Sequence, residues 1–257
     1  MPVIGTCRLC LREGQELLES HWLSRKLYYR GKKRLEFVNF LESGVDPEEL
    51  KAHLLCADCE LRFSHNGEEE VLHHVAAKLL DKPSHLHQKM RLALSRDQDP
   101  SAPRFCAHDF DIDTEKFAYF AVSIIWRRAI HEWVAGGTVF QRWELGDFAK
   151  DMRRYLMGET PFPSNMAVIV LVCSDAESRR TWTIPTQFFD AGCLNFAFDV
   201  RGIRFRLMMG YLPEWAFSAS CRSPLKPIFY GDIGEKTKRG WDHIKLVQAA
   251  NKDLIPR

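Results

Sequence analysis

Four cysteines stand in two C-x-x-C pairs, Cys7-Arg8-Leu9-Cys10 and Cys56-Ala57-Asp58-Cys59. Two residues between thiolates let one tight backbone knuckle aim both sulfurs at a single ion. Two such pairs complete the tetrahedral four-thiolate shell that structural zinc favours. A redox dithiol would need one pair only, and nothing around these pairs has a ferredoxin spacing. Structural Zn²⁺ is therefore the expected occupant of Cys7, Cys10, Cys56 and Cys59. The other cysteines, Cys106, Cys173, Cys193 and Cys221, are scattered and are expected to pack as small hydrophobes. Cys106-Ala107-His108-Asp109 has ligand-type residues but no partner motif, and reads as a loop.

A second chemical feature is basic. Arg25, Lys26, Arg30, Lys32, Lys33 and Arg34 fall in one stretch without an acidic residue, interleaved with Tyr28 and Tyr29 and preceded by Trp22. Cations beside stacking rings suit a phosphate backbone or unstacked bases, so DNA or RNA is the expected partner. The competing reading is a solvated basic loop.

The elements that must position these residues divide by composition. Residues 1–82 hold both cysteine pairs, the basic run and half of the histidines. Residues 83–113 carry Pro83, Pro100 and Pro103 in a polar stretch and read as a linker, and 114–257 are richer in aromatic and apolar residues. In the first part a helix is expected to begin near Cys56, break at Asn66-Gly67 and resume among Glu68, Glu69 and Glu70. A short helix is expected over 47–53, capped by Asp46 with Pro47 in its first turn. The order knuckle, hairpin, helix is a treble-clef arrangement. In the last part Thr114 is expected to cap a long apolar helix that Gly136-Gly137 ends, and a second helix is expected over roughly 144–157. The runs MAVIVLVCSD, RTWTIPTQFF, CLNFAFDV and IRFRLMMGYL then read as strands, with a hairpin turn at Val200-Arg201-Gly202-Ile203. The expected fold is α+β: an N-terminal treble-clef zinc module followed by a larger α+β domain, helices first and antiparallel strands after.

The chain has 257 residues, 46% hydrophobic and 27% charged, with a formal net charge of +2. Such a composition belongs to a folded globular protein, and the charge balance by itself does not mark a nucleic-acid binder. No secretory leader pattern opens the sequence and no apolar run reaches the roughly 18 residues of a membrane span, so a cytoplasmic protein is expected. Phosphate-binding Gly-rich loops, G-x-S-x-G elbows and H-E-x-x-H motifs are missing from the sequence.

The stretch from Cys7 to His65 resembles the zinc-bearing HNH, or ββα-metal, nucleases. These carry a C-x-x-C pair, an acidic residue followed by His about ten residues on, and a second pair followed directly by Asn or His. Here Cys10 is followed by Glu19-Ser20-His21-Trp22-Leu23-Ser24, and Cys59 by Glu60. The pattern SHWLSRKLYYR with HLLCADCELRFSHNGEE is also similar to a group of bacterial proteins that brings no settled function. The HNH resemblance implies that His21 is a general base for water attack on a phosphodiester. It further implies a catalytic Mg²⁺ or Mn²⁺ beside it, with Glu60 as the carboxylate ligand. Ser20 departs from the pattern, since a hydroxyl is a poor substitute for a carboxylate on a hard cation. Glu19 is one residue out of register, and the Asn that orients the base is missing. His53 and His65 are accessory candidates, and Glu68 lies where it can approach the same cleft.

Together these readings imply a zinc-stabilised, HNH-like protein acting on nucleic acid as a metal-dependent endonuclease. The alternative is a non-catalytic zinc scaffold that binds nucleic acid or protein. A protein partner would be met through residues 114–257.

Overall fold

The computed structural model describes residues 2–30, 33–34, 36–38, 50–75, 83–94, 104–135, 138–176 and 178–232. Strand β1 (Val3–Gly5) precedes the first cysteine pair, and β2 (Gln15–His21) follows it. Helix α1 (Arg25–Tyr28), strands β3 (Tyr29–Arg30) and β4 (Lys33–Arg34), and β5 (Glu36–Val38) come next. Strand β6 (Lys51–Cys56) returns alongside β2 and runs into α2 (Ala57–Phe63). After a π-helical turn over Ser64–Glu68 the same rod continues as α3 (Glu69–Val75). Then come α4 (His85–Leu94), β7 (Arg104–Cys106), α5 (Thr114–Ile130), β8 (Trp133–Ala135), β9 (Thr138–Phe140) and α6 (Asp147–Leu156). The C-terminal half is β10 (Met166–Cys173), β11 (Thr181–Thr183), β12 (Thr186–Asp190), β13 (Cys193–Val200), β14 (Ile203–Met209), α7 (Glu214–Ala219) and β15 (Pro227–Gly231). The architecture is mixed α+β.

The two main sheets draw mostly on opposite halves of the sequence. β1, β2 and β6 form a three-stranded sheet next to the cysteines. The larger sheet has the order β5-β11-β13-β14-β10-β15-β7, with β12 also paired to β13, and is mainly antiparallel. MAVIVLVC forms β10 near its middle, and a continuous apolar run suits a strand covered on both faces. The Val200–Ile203 hairpin forms as the sequence predicts. Its two-residue turn sets Arg201 at φ 48° and Gly202 at φ 79°, which the mirror-image hairpin turn requires. Arg201 meets that conformation while donating to the carbonyls of Leu27 (3.0 Å) and Lys26 (3.1 Å), so the turn also holds α1.

α5 is the centre of the molecule. It is apolar around its whole circumference and buried from Phe117 to Ala129, as a helix of that composition must be. On one side Phe117 and Phe120 pack on Phe205 at 5.7 and 5.3 Å, and Phe120 also on Phe198 of the large sheet. On the other, Tyr119 and Trp126 meet Phe63 of α2 edge-on at 5.9 and 6.0 Å, and the Trp22 indole donates to the Ile124 carbonyl at 3.0 Å. One apolar core therefore runs from Cys7 and Leu9 through α5 to the strands.

Several local expectations are corrected here. Residues 51–53 are β6 rather than helix, because pairing with β2 satisfies their backbone; 47–49 lie outside the described residues. Residues 83–113, whose composition suggested a linker, hold α4 and β7. β7 pairs with β15, and α4 seats His87 on the β13–β14 turn, its Nε2 3.3 Å from the Gly202 carbonyl. The cap of α5 is Asp113, whose Oδ1 accepts from the amides of Glu115 and Lys116, while Thr114 is the first helical residue. α5 stops at Ile130, and the chain turns into the β8–β9 hairpin before reaching Gly136-Gly137.

The helix break expected at Asn66-Gly67 is instead the π-turn, which widens one loop of a continuous rod. Gly67 is required there by close approach: a Cβ would lie 2.9 Å from the Phe120 amide nitrogen. Gly67→Ala is expected to destabilise the protein by about 1–3 kcal/mol, the usual range for overpacking, despite a better helix propensity. Chemical denaturation would measure it, and an unchanged or raised midpoint would show that α3 can move off α5.

Candidate metal centre and the adjoining polar cluster

The first knuckle is closed by backbone bonds. The Cys7 amide donates to the Arg12 carbonyl at 3.0 Å, the Leu11 amide to the Cys7 carbonyl at 2.9 Å, and Leu11 takes a left-handed φ of 61°. The Arg8 amide donates to Leu54 at 3.0 Å, which ties the knuckle to β6. Register then delivers the second pair: Leu17 of β2 opposes Cys56, which leads into α2, and Cys59 lies in that helix's first turn. The four sulfurs lie within 4.8 Å of one another, with Cys10 and Cys56 at 3.9 Å. A tetrahedron with zinc–sulfur bonds of 2.3 Å has edges of about 3.8 Å, so the residues present fit that ion. Cys7, Cys56 and Cys59 are buried and Cys10 is half-buried.

The charge of four thiolates on one divalent ion is met from outside by Arg12. Its Nε lies 3.3 Å from Cys10 Sγ and its Nη2 3.7 Å from Cys56 Sγ, and Nη2 also donates to Asp58 at 2.7 Å. Without an ion the sulfurs would share protons. The hydrogen bond from Cys59 drives the Cys7 thiol down, and the same bond together with burial drives the Cys59 thiol up. A bound zinc ion would remove that competition by taking all four as thiolates.

A second polar cluster lies against this centre. His21 ends β2, Ser20 beside it is buried, and Glu60 follows Cys59 in the first turn of α2. Glu68 closes the π-turn, and Arg127 reaches in from α5. Arg127 Nη2 donates to Glu68 Oε1 at 3.0 Å and lies 4.0 Å from Glu60 Oε2, and its Nη1 donates to the Trp22 carbonyl at 2.9 Å. Its guanidinium carbon sits 4.7 Å from the centroid of the Phe63 ring. Glu60 Oε1 is buried with no hydrogen-bond partner, as is Arg127 Nε. Burial raises the Glu60 carboxyl above its ordinary range. The Arg127 charge, a hydrogen bond from Ser20 and the nearby His21 work against that rise, and Glu68 adds to it.

The chain matches no protein-family model, no curated protein and no solved structure. What its residues can do is therefore read from geometry. Cys7, Cys10, Cys56 and Cys59 come together as expected, and a tetracysteine metal site is plausible on their geometry. His21 stands at the end of β2 and Glu60 in the first turn of α2, with Ser20 between them in the cluster. Among the described residues no second group of three or more His, Cys, Asp or Glu ligand atoms converges on one point.

The accessory candidates stand elsewhere. His53 is exposed on β6 with Nδ1 3.0 Å from the Leu17 carbonyl, and His65 is exposed on the π-turn with Nε2 3.7 Å from Glu69. Glu19 pairs with Lys51 at 3.0 Å rather than with the cluster. Of the basic run, Lys26 is exposed, Lys32 lies outside the described residues, and Arg25, Arg30, Lys33 and Arg34 are described in backbone only. No helix among the described residues is long and apolar enough to cross a membrane.

The contacts of Arg127 with Glu60 and Glu68 emerge only from the folded chain. A signal was present: Arg127-Arg128 interrupt an otherwise apolar helix, and a cation buried there must find an acceptor.

Proposed function

We propose that the polar cluster beside the metal centre is an HNH-like site, on a treble-clef zinc module, that hydrolyses phosphodiesters of DNA or RNA in the cytoplasm. The observation that carries this reading is a buried Glu60 oxygen left unpartnered, on the residue that follows Cys59 and near the strand end that bears His21. Two irregularities support it. A register shift falls between Leu18 and Glu19 just before Ser20 and His21, and the π-turn ends on Glu68. Bulges in strands and helices recur at functional sites because they re-aim side chains without breaking the element.

In this reading zinc is structural and fixes the angle between hairpin and helix. His21 accepts the proton of the attacking water, as neutral imidazole can near pH 7. Glu60 supplies the unpartnered carboxylate oxygen of the cluster. A bound Mg²⁺ or Mn²⁺ would supply charge neutralisation, held by Glu60 with phosphate oxygens and water, an arrangement usual for Mg²⁺. The 25–34 basic run provides backbone contacts.

The test is cleavage of plasmid, single-stranded DNA and RNA by the zinc-loaded protein in Mg²⁺ or Mn²⁺. His21→Ala is expected to lower the rate by about 10²–10⁴-fold, the span of general-base catalysis, with zinc content unchanged. Cutting that survives this substitution sinks the assignment.

A second reading, a non-catalytic scaffold that binds nucleic acid or protein, is favoured by one feature: Arg127 already supplies a cation to Glu60 and Glu68. It predicts salt-dependent binding that is indifferent to divalent metal and to His21.

A further inference from the structure

We infer that Arg127 is the positioning residue of this cluster: a single guanidinium sets the strand end carrying His21 against the helical rod carrying Glu60 and Glu68. This role rests on the phosphodiesterase reading of the cluster. Arg127 is 1% exposed, so it does not meet a substrate; it acts through the groups around it. Its two terminal nitrogens divide the work. Nη1 holds the carbonyl of Trp22, the residue after His21, and Nη2 holds Glu68 with Glu60 one ångström further off. Trp22 is gripped by α5 a second time through its indole N–H on the Ile124 carbonyl, and its ring lies 6.1 Å from that of Trp133. The strand end therefore has little freedom to turn His21 away.

The shape of the rod serves the same contact. The π-turn brings Glu68 under the guanidinium, and Gly67 lets the rod lie directly on the backbone of Phe120, two turns before Arg127 on α5. Packing alone does not need these charges. Apolar residues of similar volume hold two helices together at least as well as a buried ion pair does. A fork-shaped cation does what apolar residues cannot, which is to fix two acceptors at set positions, and lysine has no fork.

The experiment compares wild type with Arg127→Lys and with the double variant Glu68→Met/Arg127→Met, all full-length and zinc-loaded, on the nucleic acid that the wild type cuts. Zinc content and circular dichroism report folding. The double variant leaves no unpaired charge at either position, so it stays informative if the lysine variant does not fold. The expected result is a kcat about 100-fold lower, the scale of a misplacement of about 1 Å, with KM within a few-fold of wild type. An unchanged kcat in a folded variant overturns the role of Arg127 and leaves the phosphodiesterase reading standing. A loss of kcat that only tracks the fraction folded also overturns it, since that is a packing effect. Wild-type protein that cuts none of the substrates overturns the phosphodiesterase reading, and the positioning role with it.

Discussion

Stripping the metal, or replacing Cys59 by serine, is expected to unfold the chain as a whole rather than to free one end of it. The knuckle, β2, β6 and α2 bury Leu9, Leu54, Leu55 and Phe63 in the same core as α5 and the large sheet. β5, from the first part of the sequence, pairs in parallel with β11 at the edge of that sheet. α6 is pinned to the cysteine module from two sides: Arg153 donates to the Leu9 carbonyl at 3.1 Å, and Arg62 on α2 to Met157 at 3.2 Å. Structural zinc contributes an apparent binding free energy of about 10–16 kcal/mol in small modules, while a whole domain is stable by only about 5–15 kcal/mol. Even a fraction of the zinc contribution is enough to decide whether α5 stays covered. Chelator titration followed by circular dichroism and by hydrogen exchange at α5 amides checks this. A strand-rich half that melts at its original temperature after zinc loss would contradict it.

The second large effect belongs to Glu68. Replacing it by methionine leaves Arg127 buried beside a more distant Glu60, and removing one partner of a buried pair costs about 3–5 kcal/mol. The double variant Glu68→Met/Arg127→Met is expected to recover most of that loss, because neither Glu68 nor Arg127 remains as an unpaired charge and Glu60 keeps the Ser20 hydrogen bond. Urea denaturation of the two singles and the double forms a complete cycle. Additive losses would mean that the two side chains do not depend on each other, against the 3.0 Å contact between them. Zinc content stays constant in all three, since neither residue is a ligand.

Fold and site were legible to different depths. Wherever a signal is local, it reads through: the C-x-x-C spacing, the uninterrupted apolar run of β10, and the Arg201-Gly202 turn each depend on neighbours within a few residues. Residues 51–53 misled because a capping pattern at 46–47 speaks for a helix, whereas pairing with β2, some thirty residues away, decides for a strand. Pro83, Pro100 and Pro103 in polar surroundings suggested a linker, and pairing of β7 with β15 overrode that composition.

By itself the sequence determined that four cysteines form two knuckles whose spacing suits one metal ion and that α5 is too apolar to face water. It also placed His21 and Glu60 at the ends of elements that such a pair must hold together. Only the tertiary structure decided that the cysteine module lies on α5 and that Arg127 is the cation set between Glu60 and Glu68. The physical reason is range. Chelation by C-x-x-C knuckles and helical periodicity are set by covalent neighbours, whereas the partner of a buried charge is chosen by whichever distant acceptor the packed core delivers to it.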